Sequence, residues 1–249
     1  MKRSLLLAIL FLIFNLPAYS EDFRSDTVDI RTYQLHLDLS NFTTKILYGD
    51  VTMGCKAKMN GVSGIRLDLQ QLIVDTVVVD GYYVPYSYND TLLDIDMLNT
   101  FNISDSFTLR VVYHGHPLQM PGDFGGFYWN NAYAFNIGVS FLADPHNYGR
   151  VWFPCFDNFR ERSLFEYFIT TKNIHKAFCN GLLQGVTTSG ITKTWHWNLN
   201  QEIPSYLASV AVSDYQTLTD TVHGIGGVKE IQLVARTTDT TALKNLFVH

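Results

Sequence analysis

Apolar and polar side chains alternate one by one along much of the chain, as in Leu35-His36-Leu37-Asp38-Leu39, Leu93-Asp94-Ile95-Asp96-Met97 and Phe107-Thr108-Leu109-Arg110-Val111. Leu67-Asp68-Leu69 and Trp195-His196-Trp197-Asn198-Leu199 repeat the pattern. A period of two buries one face of a strand and wets the other, the signature of antiparallel sheets. Turn-forming residues punctuate these runs at Asn60-Gly61, Asp80-Gly81, Asn89-Asp90, Pro121-Gly122 and Ser189-Gly190. Short strands so interrupted predict an all-β fold, either an antiparallel β-sandwich or a saddle-shaped sheet. Leu164–Thr171 and Ala177–Gln184 read as one hairpin turning at Lys172-Asn173-Ile174-His175, with Cys179 opposite a residue near 169. No internal repeat, low-complexity tract or interdomain linker interrupts the pattern.

The two ends depart from it. Met1-Lys2-Arg3, the apolar run Leu5 to Leu16 and Pro17-Ala18-Tyr19-Ser20 have the basic, apolar and small-residue parts of a secretory signal peptide. A run of twelve residues is shorter than the ~20 needed to span a bilayer. Residues 1-20 are therefore expected to be cleaved, giving an exported chain (periplasmic, cell-surface or extracellular) with no membrane span and a mature start near Glu21. At the other end, Asp239-Thr240-Thr241 offers N-cap chemistry, and Leu243, Leu246 and Phe247 are spaced for one helix face. Nothing after them covers that face, so 236-249 reads as the start of a connection to a further domain, with 21-235 as the β-domain.

Net charge is −5 with only 18 Lys plus Arg, and no basic cluster follows the leader, which argues against nucleic acid as a partner. Aromatics at 14% and charged residues at 16% suit a packed β-rich domain. Cys55, Cys155 and Cys179 are too few for a disulfide framework, and the hairpin register keeps Cys155 away from Cys179. Three free, mostly buried thiols are expected.

The densest cluster of chemistry is Arg150-Val151-Trp152-Phe153-Pro154-Cys155-Phe156-Asp157-Asn158. It resembles the A-R-x-x-F-P-C-F-D-E-P segment of the M1 (gluzincin) zinc aminopeptidases, where this segment closes a loop of the N-terminal β-domain. Further echoes follow in order: Leu164–Thr171 as the next strand, Cys179-Asn180-Gly181, and Ser205-Tyr206-Leu207-Ala208 running into Val210–Tyr215. The resemblance spans about Tyr33 to Ala235. It identifies Arg150, Phe153, Pro154, Cys155 and Asp157 as the structural signature, with Asn158 where the family has Glu.

The resemblance implies a whole protein that removes N-terminal residues from peptides and holds zinc in a catalytic domain. This chain would be its β-domain, packing on that missing partner and walling the substrate cleft. The family's H-E-x-x-H places two histidines on one helix face with the Glu as general base, and G-x-M-E-N binds the substrate amine. Neither motif occurs in the 249 residues, and none of the histidines has a second four positions on. No catalytic residue, metal ligand or cofactor is therefore assigned to this chain. In the family a Gln seven residues before the signature Arg bonds the substrate's α-amine. Ala143 stands there, leaving Asp144 as the substitute, a carboxylate that would pair with the ammonium. The alternative is that Asp144 only caps an X-Pro turn.

Other constellations have plainer readings. His114 and His116 with Asp123 or Asp144 would make a metal site, but Gly115 and Pro117 point to a surface turn. Asp157 is expected to organise its loop through backbone N–H groups, and Arg160 or Arg162 to pair with Glu161 or Glu166. Phe124, Phe127, Tyr128, Trp129, Tyr133 and Phe135 are expected to pack between sheets. They are also the surface on which the rival reading rests, a stand-alone secreted β-sandwich that binds a glycan or protein. Asn41-Phe42-Thr43, Asn89-Asp90-Thr91 and Asn102-Ile103-Ser104 are glycosylation triplets, meaningful in a eukaryotic secretory host.

Overall fold

The computed structural model describes residues 24–247 apart from 121, 123, 141 and 143–145. The leader 1-20 thus lies outside the described residues, as do Asp123, Ala143 and Asp144. The chain opens with α1 (Arg24–Thr27), β1 (Val28–Asp38), β2 (Leu47–Ala57), β3 (Val62–Asp68) and β4 (Ile73–Val79). Then come β5 (Tyr82–Tyr83), β6 (Tyr86–Tyr88), β7 (Leu92–Phe101), β8 (Ser106–Gly115), β9 (Gln119–Met120), β10 (Gly125–Trp129) and β11 (Tyr133–Ile137). A 3-10 turn, Gly149–Val151, precedes β12 (Ser163–Lys172), β13 (Lys176–Cys179), β14 (Leu182–Ser189) and β15 (Thr192–Ile203). A second, Ser205–Leu207, leads to β16 (Val210–Ser213), β17 (Tyr215–Gly224), β18 (Gly227–Arg236) and α2 (Thr240–Phe247). No helix among the described residues is long and apolar enough to cross a membrane.

The fold is all-β, as the alternation predicts, and every alternating segment forms a strand. The largest sheet has eight strands in the order β14-β15-β12-β1-β2-β8-β4-β5. A five-stranded sheet (β13-β16-β11-β10-β9), a three-stranded sheet (β3-β7-β6) and the ribbon β17-β18 complete it. One pairing, β1 with β12, is parallel, so the large sheet is mixed rather than purely antiparallel. The helix expected at the C-terminus is formed as α2, and its contacts are chiefly with β18 and the 3-10 turn before it.

A bulge in β1 keeps the core continuous. Val28 and Ile30 are buried, and the register then slips by one between Ile30 and Thr32. Tyr33, Leu35 and Leu37 therefore face inward although their parity has changed. One extra residue in one strand is what such a slip requires. The inner face of the large sheet, with Val51, Met53, Leu109, Val111, Phe165 and Tyr167, is buried against the segment that carries Trp152 and Phe153.

The hairpin expected from 164 to 184 does not exist. β12 is hydrogen-bonded on both edges, to β1 and to β15, so no edge remains for the strand that follows. β13 instead crosses to the small sheet and pairs with β16, where Cys179 faces Val210. The register argument for the cysteines falls with it. Their state is nonetheless as expected: Cys55 and Cys155 are buried, Cys179 is partly buried, and all three are free. Burial pushes all three thiols above their ordinary range, leaving little thiolate to react in the folded chain. Denaturation without reductant should expose three alkylatable thiols, read by mass. A single labelled thiol would reveal a disulfide and contradict this arrangement.

Candidate functional site

The signature loop is a buried polar knot. Asp157 Oδ1 accepts hydrogen bonds from the Gly149 N–H and the Ser205 hydroxyl, each 3.1 Å, and its Oδ2 accepts from the Arg150 N–H at 3.2 Å. The Arg150 side chain approaches the same carboxyl at 3.8 Å while lying over the Tyr148 ring. The Asp157 N–H in turn donates to Asp68 Oδ2 at 2.9 Å, and Asp68 is gripped by both terminal nitrogens of Arg24 at 3.1 and 2.8 Å. Backbone bonds between Asp68 and Cys155 in both directions tie β3 to the loop. The Asn147 carboxamide nitrogen donates to the Asp157 carbonyl. Asp157 thus organises its loop through backbone N–H groups, as expected.

Aromatic packing holds the knot from the other side. Trp152, Phe153 and Phe156 are buried, as are Pro154 and Cys155. Phe153 meets Tyr33 edge-on at 5.5 Å and Phe165 at 6.2 Å, and Trp152 meets Phe153 at 4.6 Å. The Tyr113 hydroxyl donates to the Trp152 carbonyl at 2.8 Å, and the Phe156 N–H to the Tyr33 hydroxyl at 3.3 Å. At Gly149 a Cβ would sit 2.8 Å from Asp157 Oδ1, so only glycine lets the backbone approach this closely.

Burial pushes the Asp157 carboxyl up to about 6, against the Arg150 charge and the Arg150 N–H, which pull it down. Burial likewise raises Glu161 to about 7, helped by a hydrogen bond shared with Asp29. Perturbed acids of this kind mark active sites when they line a cleft. Asp157 does not: its oxygens are spent on the loop itself, and its side chain is fully enclosed. Its role in the fold is architectural.

Several expected pairings are replaced by others. Arg160 reaches Asp26 at 3.3 Å rather than Glu161 or Glu166. Glu166 instead accepts from Gln34 at 2.9 Å and meets His196 at 2.7 Å. His114 bonds Asp75 and His116 the Lys45 carbonyl, so the two rings serve different partners. Among the described residues no three His, Cys, Asp or Glu side chains gather as a metal site. With no H-E-x-x-H in the sequence, the residues present do not fit a catalytic zinc. Of the aromatic run, Phe127 is buried, Tyr128 stacks on Phe135 at 5.3 Å and Trp129 meets Phe42 at 5.7 Å. Phe124 breaks the pattern at 68% exposed.

Sequence reasoning missed Arg24 and Asp68. Asp68 occupies a nominally outward position between Leu67 and Leu69, yet all three are buried. Nothing in period two distinguishes it from an exposed acid, because its partners lie 44 and 89 positions away.

The loops around the knot carry exposed apolar side chains. Phe124, Leu142, Phe159 and Leu207 stand 68%, 71%, 53% and 46% exposed. Their loops interlock: Phe159 packs on Tyr206 at 5.0 Å, and the Leu142 N–H bonds Ser140, whose Cβ lies 3.2 Å from the position a Gly125 Cβ would take. Gly138 passes so near the Tyr206 carbonyl that any Cβ would collide with it. Asp144, the expected amine-binding residue, lies outside the described residues.

Comparison with known proteins agrees with this architecture. The peptidase M1 N-terminal domain family matches residues 30–207. Leucine aminopeptidase 2 of the yeast Vanderwaltozyma polyspora is 27% identical over 221 residues, covering 80% of this chain and 33% of that protein. The crystal structure of an M1 zinc metallopeptidase from Deinococcus radiodurans superposes with a TM-score of 0.74 at 22% identity, covering 85% of this chain and 48% of that one. A mutant of that enzyme bound to a Tyr-Ser-Ala substrate gives the same score at 21% identity. The chain therefore spans a third of its curated relative and about half of the solved structures. With the signature knot, the strand order and the family match in agreement, the chain belongs to the peptidase M1 N-terminal domain family.

Proposed function

We propose that this chain is the N-terminal domain of an exported M1-type zinc metallo-aminopeptidase, packing on the catalytic domain and walling the cleft that admits peptide N-termini. The observation that carries it is the set of exposed apolar side chains Phe124, Leu142, Phe159 and Leu207 on loops around the signature knot. Large apolar groups exposed on loops mark an interaction surface. A catalytic domain supplied by the rest of such a protein would cover them, and Asp144 would meet the substrate's α-ammonium where the family uses an amide. The basic and apolar stretch at Met1–Leu16 supports export.

The test is the full-length gene product. It is expected to hold one zinc and to release chromophore from aminoacyl substrates, whereas the 249-residue chain alone, lacking H-E-x-x-H, releases none. Asp144→Asn in the full-length protein should lower kcat/KM roughly tenfold or more through KM, since a hydrogen bond to a charged group contributes roughly 1.5–3 kcal/mol. A reading frame without H-E-x-x-H would sink the proposal and favour the stand-alone binding module. Unchanged kinetics would sink the role of Asp144 alone.

A further inference from the structure

Three asparagines remain outside this account. Asn41, Asn89 and Asn102 each begin an Asn-x-Ser/Thr triplet, and each is exposed at a chain reversal, between β1 and β2, β6 and β7, and β7 and β8. In the first two turns the carboxamide oxygen is the acceptor that closes the turn. Asn41 Oδ1 accepts from the N–H groups of Thr43 and Thr44, both at 3.1 Å. Asn89 Oδ1 accepts from the N–H groups of Thr91 and Leu92 at 3.2 and 2.8 Å, and from the Thr91 hydroxyl at 2.7 Å. These bonds hold the oxygen against the backbone and leave the amide nitrogen without a partner among the described residues. The Asn102 turn is closed through Asp105 and its own backbone, so its carboxamide is also unengaged among the described residues.

Four other asparagines commit their amide nitrogen to a backbone carbonyl. Asn136, Asn147, Asn173 and Asn180 donate to the carbonyls of Ala208, Asp157, Gly190 and Leu207, and none of the four begins a triplet. The loops bearing Phe124, Leu142, Phe159 and Leu207 hold Asn147 and Asn158, yet no triplet. Other exposed asparagines, Asn60, Asn99, Asn131 and Asn200, begin no triplet, so a triplet and an unengaged, exposed amide nitrogen meet at Asn41, Asn89 and Asn102.

We infer that Asn41, Asn89 and Asn102 are N-glycan acceptors; this rests on the export reading above. The donor class is an oligosaccharide linked through a pyrophosphate to a lipid. The amide nitrogen attacks the anomeric carbon, a C–N bond forms, the C–O bond to pyrophosphate breaks, the lipid pyrophosphate leaves and the nitrogen gives up one proton. Such modification is confined to exposed turns of exported chains.

The experiment expresses the whole chain in a eukaryotic secretory host twice, once with its own N-terminus and once behind a leader of proven efficiency. Mobility before and after endoglycosidase is read directly from cell lysates, so retention of a poorly folding chain does not hide the result. Three discrete mobility steps are expected, one lost for each of Asn41→Gln, Asn89→Gln and Asn102→Gln, and all lost in the triple variant. Modification only behind the borrowed leader supports the acceptor sites and overturns the export reading. A chain cleaved from the borrowed leader with all three asparagines bare overturns the inference.

Discussion

Trp152→Ala is expected to cost the domain roughly 3–5 kcal/mol of unfolding free energy, the range for truncating a fully buried large aromatic. The side chain is wholly enclosed between Phe153 at 4.6 Å and Phe127 at 6.4 Å. Its indole N–H has no acceptor among the described residues, so the loss is one of packing and cavity rather than of a hydrogen bond. Phe153→Ala should fall in the same range, since it removes edge contacts to Tyr33 and Phe165 together. Truncation after Thr237 is the contrasting case. It removes α2, which touches chiefly β18 and the preceding turn, and should change stability by no more than about 0.5 kcal/mol. Denaturant midpoints of the three proteins decide the matter. A truncation as damaging as Trp152→Ala would mean that α2 is docked on its own domain, and the stand-alone binding module would then move ahead.

Asp157→Asn should change how stability depends on pH. Burial raises the folded-state carboxyl to about 6, well above the ~3.9 of an unfolded chain. A raised folded value means that the acid's contribution is fully present below pH ~4 and is lost as pH rises through about 6. The wild-type protein should therefore lose ~3 kcal/mol relative to the Asn variant between pH 4 and 8, while the cost of the Asn amide facing the Gly149 and Arg150 N–H groups stays constant. Using the difference matters because other groups pull both ways. Glu161, also raised, adds to the loss at high pH, whereas His36 and His175, lowered by burial, favour the folded chain as pH rises. Parallel pH profiles for the two proteins would show that Asp157 stays ionised throughout, held by Arg150 more strongly than burial opposes it.

Much of the fold is legible in the sequence because a half-buried strand must alternate, as β1, β2, β8 and β12 do, whereas β14, exposed along its whole length, does not. The β1 bulge was less so. Its parity change from Ile30 to Tyr33 is visible in the sequence, but only pairing with β2 shows which residue is extra. The signature loop was legible as a resemblance, and Asp157's service to backbone N–H groups followed from an acid set among apolar neighbours in a turn. Arg24 and Asp68 were not, since an ion pair formed across 44 residues leaves no local trace.

What the sequence determines by itself is therefore local and periodic: strand or turn, apolar or wet face, the presence of Arg150 to Asp157, and the lack of any helix-borne zinc motif. Tertiary structure decides what depends on competition between distant partners. The chain from Ser163 to Gln184 has the turn and the strands of a hairpin, yet β12 meets β1 on one edge and β15 on the other before β13 can pair with it. A strand has only two edges, and which neighbours fill them is set by the burial of the whole sheet rather than by the next turn in sequence. The same competition leaves Phe124, Leu142, Phe159 and Leu207 exposed while Phe127, a few residues from Phe124, is buried in the core.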